Sequence, residues 1–127
     1  PPPFWWQAAT DTLTPLPGRS PALGLASEPA LAEQSVLLGN EDVLLFWSDG
    51  LAEIRNQEGV CFGSQRLMHL LKVHARHPAA LIAAAILEEV QLWLHGQPPH
   101  DDLLLIIIKH HPRPSPTLTT HTAPAPE

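Results

Sequence analysis

The sequence predicts an α+β fold, and three features carry that expectation. Two continuous apolar runs have the character of buried strands, and two stretches of helical periodicity lie between them. Strand and helix signals also come in separate blocks rather than in strict alternation. At 127 residues the chain is long enough for one domain and short for two.

In chain order, Phe4-Trp5-Trp6-Gln7 and Asp11 to Leu16 read as a short hairpin of strands around Ala8-Ala9-Thr10. Trp5 and Trp6 are adjacent, so on a strand one of them must face away from the local core. Pro15 to Pro29, with Gly18 and Gly24, reads as a long loop. Asp42 to Ser48 is apolar throughout its centre and bounded by Asn40-Glu41 and Asp49-Gly50, as a central strand covered on both faces requires. A first helix begins at Ser64 as a plausible N-cap, with Leu67, Leu70 and Leu71 on one face. A second has Pro78 in its first turn and Gly96 just past its end, with Ile82, Ala85, Ile86, Val90, Trp93 and Leu94 as its buried stripe. Leu103 to Ile108, rich in β-branched isoleucine, is the last strand. The expected domain covers residues 1–109. Residues 110–127, with five prolines after His111 among Ser, Thr and Ala, read as a disordered Pro/Thr-rich tail.

Composition narrows the function. A hydrophobic fraction of 44% supports a globular core, and no apolar run approaches the roughly 20 residues of a membrane helix. Thirteen acids against seven Lys and Arg give a net charge of -6, which argues against a nucleic-acid partner. Cys61 is the only cysteine and cannot form an internal disulfide, which points to a reducing, cytoplasmic compartment. The chain opens on Pro1-Pro2-Pro3 with no methionine, and so reads as a piece of something longer.

Acids at strand ends are where chemistry could sit. Asp49 follows the central strand directly, and Asp101-Asp102 precede the last strand directly. If those strands are antiparallel neighbours, Asp49 and Asp101 meet at one rim of the sheet. Converging carboxylates repel unless a cation lies between them, and hard divalent ions such as Mg²⁺ or Mn²⁺ take such oxygen ligands. Ser-Asp-Gly after a strand also serves as an ordinary turn, and Asp-Asp before a strand as an edge or cap. Spacing alone leaves both readings open.

The stretch Asn40 to Asn56, Asn-Glu-Asp-Val-Leu-Leu-Phe-Trp-Ser-Asp-Gly-Leu-Ala-Glu-Ile-Arg-Asn, resembles a signature of the PPM-type metal-dependent protein serine phosphatases. More narrowly, it is similar to their bacterial sporulation-stage and stress-response branch, the stage II sporulation protein E-like regulators. That pattern runs Gly-Asp, about four apolar residues, Thr-Asp-Gly-Leu, then Glu and Asn. Pro1-Pro2-Pro3, Pro21 to Leu25, Phe62-Gly63, Arg66-Leu67 and Asp101-Asp102 leading into Leu103 to Lys109 continue the likeness in family order. The resemblance implies half of an αββα sandwich, two antiparallel sheets flanked by helices. It implies that Asp49 and Asp101 are ligands of a binuclear Mn²⁺ or Mg²⁺ centre, with Asp102 a neighbour and with Glu53 and Asn56 organising the turn after Asp49. Three positions depart from the pattern: Ser48 replaces threonine, Glu41 replaces glycine, and Leu104 stands where a hydroxyl residue is usual. The family's first metal aspartate, in an Asp-x-x-Gly-His-Gly segment, has no counterpart, since the only His-Gly is His95-Gly96.

The implied activity is metal-assisted dephosphorylation of phosphoserine on a regulatory protein of the anti-anti-sigma type, without a covalent enzyme intermediate and with a possible upstream sensor domain. With half of the site absent, the isolated chain is expected to be inactive. The competing reading is a non-catalytic module that binds such a partner without hydrolysing it, and a third is a folding fragment with no activity of its own. Three other features have simpler readings. His74 and His77 lack a third zinc ligand and are expected in solvent. His110-His111 are expected exposed, and Cys61 buried and inert.

Overall fold

The computed structural model describes residues 1–18, 24, 27 and 31–112. The stretch from 113 onward, and with it most of the expected disordered tail, lies outside the described residues, as does most of the loop expected from Pro15 to Pro29. Four strands, β1 (Phe4–Gln7), β2 (Thr12–Pro15), β3 (Val43–Trp47) and β4 (Leu105–Lys109), form one sheet in the order β2-β1-β3-β4. Every neighbouring pair is antiparallel. Three helices, α1 (Asp49–Glu53), α2 (Ser64–His74) and α3 (Ala79–Leu94), lie between β3 and β4 in the chain. Such a sheet with its helical layer is the α+β half-sandwich that the sequence predicts.

Side chains alternate across a strand, so each strand has an inner and an outer set. Phe4 and Trp6, then Val43, Leu45 and Trp47, face α2 and α3 and pack with Leu67, Leu71, Ile82 and Ile86 into one core. Trp6 is 1% exposed, while its neighbour Trp5 turns to the opposite face. That opposite face is apolar too: Trp5 and Phe46 are half-buried, and Ile106 and Ile108 are each 45% exposed. Along α3 the buried stripe is Ile82, Ile86, Val90 and Leu94, at helical spacing, with Ala85 and Trp93 at its half-buried margin.

Element boundaries differ locally from the expectation, each for a visible reason. The cap of α2 is Gly63 rather than Ser64, at φ 79°, where a side chain would be strained. Pro78 is itself the cap of α3, and its carbonyl accepts the N–H groups of Leu81 and Ile82. His95 ends that helix in the left-handed conformation. Strand β4 starts two residues later than expected because the segment before it is held by side-chain bonds from Ser48. Its pairing also runs on past Lys109: His110 N–H donates to the Asp42 carbonyl and Glu41 N–H to the His110 carbonyl. His110 is therefore half-buried, not exposed as expected, and its ring Nδ1 donates to the Gly39 carbonyl at 2.9 Å. Among the described residues, no helix is long and apolar enough to cross a membrane.

Candidate metal centre

Strands β3 and β4 are antiparallel neighbours, with Trp47 opposite Leu105. The exit of β3 and the entry to β4 therefore share one rim of the sheet. Asp49 and Gly50 leave β3 there and open α1, while Asp101 and Asp102 approach β4 beside them. The two segments come close at Gly50, which is buried. A Cβ at that position would stand 2.7 Å from the Asp102 carbonyl oxygen and 3.7 Å from the Asp101 carboxyl carbon. Only glycine admits this approach, because the nearest obstacle is backbone rather than a side chain that could swing away.

Gly50→Ala is accordingly expected to force the Asp101-Asp102 segment outward and to lower stability by about 1–3 kcal/mol, the usual cost of overpacking. Urea unfolding of the variant measures the cost. A denaturation midpoint equal to the wild type would show that the segment yields freely.

Both carboxylates flank Gly50. Asp49 Oδ1 accepts the Gly50 N–H at 3.1 Å, and Asp101 Oδ1 accepts the Asp102 N–H at 2.8 Å. Each acid thus has one oxygen engaged by its own following amide, which fixes its orientation. The other oxygen of each has no protein hydrogen bond among the described residues. All three acids, Asp49, Asp101 and Asp102, are exposed, so the rim is open to a cation from solvent. In kind, these donors fit Mg²⁺ or Mn²⁺, which prefer carboxylate oxygen and complete their shells with water. In number they are too few for a closed site. Among the described residues, no group of three or more His, Cys, Asp or Glu is gathered for a metal ion.

Ser48 ties the two segments together. Its Oγ accepts the Leu104 N–H at 3.0 Å and donates to the Asp102 carbonyl at 3.3 Å. Its backbone N–H donates to the Leu104 carbonyl at 3.1 Å, and its own carbonyl accepts the Leu51 N–H at 3.1 Å to start α1. Asn56 acts further along: its Oδ1 accepts the N–H groups of Glu58 and Val60 and shapes the turn between Arg55 and Cys61. Cys61 is half-buried rather than buried. The His74 and His77 rings lie 5.6 Å apart.

Two residues that matter to this half of the molecule were not singled out as functional in the sequence. Asp42, read there as the head of a strand, is 4% exposed and accepts three hydrogen bonds. Its burial by itself pushes the carboxyl pKa up, and the N–H groups of Ala8 and Gly39 with the Trp5 indole outweigh that and hold it below the usual carboxylate range. Glu41 sits at φ 64°, in the region glycine favours, which accounts for glycine being usual at that position. Hydrogen bonds from His111 and Lys109 hold the Glu41 carboxyl below its ordinary value as well.

The fold is that of a phosphatase-type domain. Among solved structures, the SiaA-PP2C domain of Pseudomonas aeruginosa matches with a TM-score of 0.66 and 21% identity, over 86% of this chain and 42% of that one. At that identity the likeness is one of fold, and the chain spans less than half the length of the matched domain. The family model for Stage II sporulation protein E (SpoIIE) matches residues 1–111, and the chain belongs to that family. Comparison with curated proteins gives no match.

Proposed function

We propose that this chain supplies part of the metal centre of a PPM-type protein phosphatase, with Asp49 and Asp101 as ligands of Mn²⁺ or Mg²⁺. The observation that carries this is the contact of the Asp49-Gly50 turn with the Asp101-Asp102 segment at one solvent-open rim. The approach is close enough to require glycine at position 50, which lies against the Asp102 carbonyl and beside the Asp101 side chain. The substrate class is phosphoserine on a regulatory protein of the anti-anti-sigma type, and the location is cytoplasmic. Membership of the Stage II sporulation protein E family supports the substrate class, and the lone Cys61 supports the location.

When bound, the cation supplies positive charge that acidifies the attacking water and stabilises the phosphoryl oxygens. The chain's own part is placement. Gly50 lets the two acidic segments touch, and the amides of Gly50 and Asp102 each fix one oxygen of the neighbouring carboxylate. Neither Ser48 nor Cys61 is required as a nucleophile, because direct attack by water leaves no covalent intermediate.

With two carboxylates, the purified chain is expected to bind Mn²⁺ weakly, with a Kd on the order of millimolar, in the range of weak oxygen-ligand sites. Electron paramagnetic resonance of free Mn²⁺ during a titration reads this directly. Asp49→Asn and Asp101→Asn should each weaken binding about tenfold or more, at least the loss that changes around a ligand cause. Wild-type affinity in both variants would sink the metal assignment. Phosphoserine hydrolysis is expected to be absent from the 127-residue chain with Mn²⁺. Clear turnover abolished by Asp49→Asn would show instead that these acids suffice.

A further inference from the structure

Resting on the metal reading of Asp49 and Asp101, we infer that Ser48 is a positioning residue whose hydroxyl sets the separation of those two carboxylates. Ser48 is the N-cap residue of α1, where serine ordinarily accepts a bond from the first turn of the helix. Here its side chain makes no capping bond. The hydroxyl is turned across the rim, accepting from Leu104 N–H and donating to the Asp102 carbonyl. Both of its hydrogen-bonding functions therefore go to the segment carrying Asp101, while its backbone carbonyl starts the helix carrying Asp49. One residue grips both halves of the acidic pair.

That grip has a chemical consequence. Two exposed carboxylates repel, and the segment before β4 has no regular ladder bonds of its own until Leu105. Without the hydroxyl, the Ser48 and Leu104 backbones still pair through one N–H. The Asp102 carbonyl and the Leu104 amide would then exchange their protein partner for water, and Asp101 would be free to swing from Asp49. A cation holding both acids would then have to supply the ordering that Ser48 now supplies in advance. Groups that orient metal ligands without touching the metal typically change affinity by about 10–100-fold.

The Ser48 backbone, at φ -92° and ψ 155°, is extended, which suits β-branched side chains. Ser48→Thr should therefore keep the hydroxyl bonds, and Ser48→Val should keep the shape without them. The experiment is an Mn²⁺ titration by electron paramagnetic resonance of Ser48→Ala, Ser48→Val, Ser48→Thr and Asp49→Asn, with amide hydrogen exchange at Leu104 in the metal-free chain. Ser48→Ala and Ser48→Val should weaken Mn²⁺ binding about tenfold and speed Leu104 exchange, while Ser48→Thr restores both. A merely structural serine would lower the melting temperature without moving affinity in a hydroxyl-dependent way. Should Ser48→Ala fail to fold, the Val and Thr pair makes the same comparison at constant shape. Wild-type affinity in Ser48→Val, with binding lost in Asp49→Asn, overturns the positioning role and leaves the metal reading standing. Wild-type affinity in Asp49→Asn removes the metal reading, and the positioning role falls with it.

Discussion

Asp42→Asn is expected to destabilise the fold by about 3 kcal/mol at neutral pH, in the range for losing hydrogen bonds to a buried charge. For a domain of this size that lowers the melting temperature by roughly 10 °C or more. Asp42 Oδ1 accepts the Ala8 N–H at 2.9 Å, and Oδ2 accepts both the Gly39 N–H at 2.9 Å and the Trp5 indole N–H at 3.0 Å. The residue thereby joins the β1–β2 turn, the outer face of the sheet and the chain entering β3. Asparagine has nearly the same shape and can still accept from Ala8, but its amide nitrogen would face two donors. The pH dependence has a definite sign. Because the folded carboxyl titrates below the usual range, the folded state binds fewer protons than the unfolded state as pH falls past the unfolded value of about 3.9. The stabilisation is therefore complete above that value and is lost as pH drops toward the folded pKa. Urea unfolding between neutral pH and pH 3 should show a steep acid loss in the wild type and a shallower one in Asp42→Asn. Glu41, also titrating low, keeps part of the slope. An unchanged acid profile would show that Asp42 is not the group responsible.

Much of the architecture is legible in the sequence because it depends on pattern. The runs that become β3 and β4 are apolar on both faces, and α3 has a stripe at i, i+4 spacing running from Ile82 through Ile86 and Val90 to Leu94. These signals are local and survive any tertiary arrangement. The rim acids Asp49 and Asp101 are legible as strand-end residues, although their proximity depends on β3 and β4 being neighbours, which no local signal states. What stays hidden depends on partners distant in sequence. Asp42 looks like punctuation before a strand until Ala8, Trp5 and Gly39 converge on it. Helix α1 is five residues containing a glycine and reads as a turn, being short and carried by its attachment to Ser48 and Leu51. His110 looks like the start of a polar tail, because its backbone pairing with Glu41 and Asp42 leaves no mark on its own neighbourhood. The rule separating the two sets is physical: periodicity reports burial, and nothing in a local window reports which buried polar group meets which.

Lys109 is the sharpest instance, and Lys109→Met is expected to destabilise by about 2–3 kcal/mol, mainly through a buried carbonyl left without its donor. A lysine closing an isoleucine strand suggests a solvated end. The strand's alternation instead points it inward with Leu105 and Ile107, and its ammonium-bearing side chain is only 1% exposed. The ammonium donates to the Ala75 carbonyl at 2.8 Å and the His77 carbonyl at 2.9 Å, and pairs with Glu41 at 3.1 Å. Ala75 is the fully buried C-cap of α2, so the cation satisfies terminal carbonyls and meets the negative end of the helix dipole. Methionine preserves most of the apolar stem, which separates loss of the charge from loss of packing. The three partners are not equal. Glu41 is partly exposed and can return to water, whereas the Ala75 carbonyl cannot. Glu41→Gln should therefore cost much less than Lys109→Met, and the double variant should cost little more than Lys109→Met alone. Denaturant unfolding of the three variants makes this a double-mutant cycle. If removing Glu41 were as damaging as removing Lys109, the ion pair rather than the helix terminus would be what Lys109 secures.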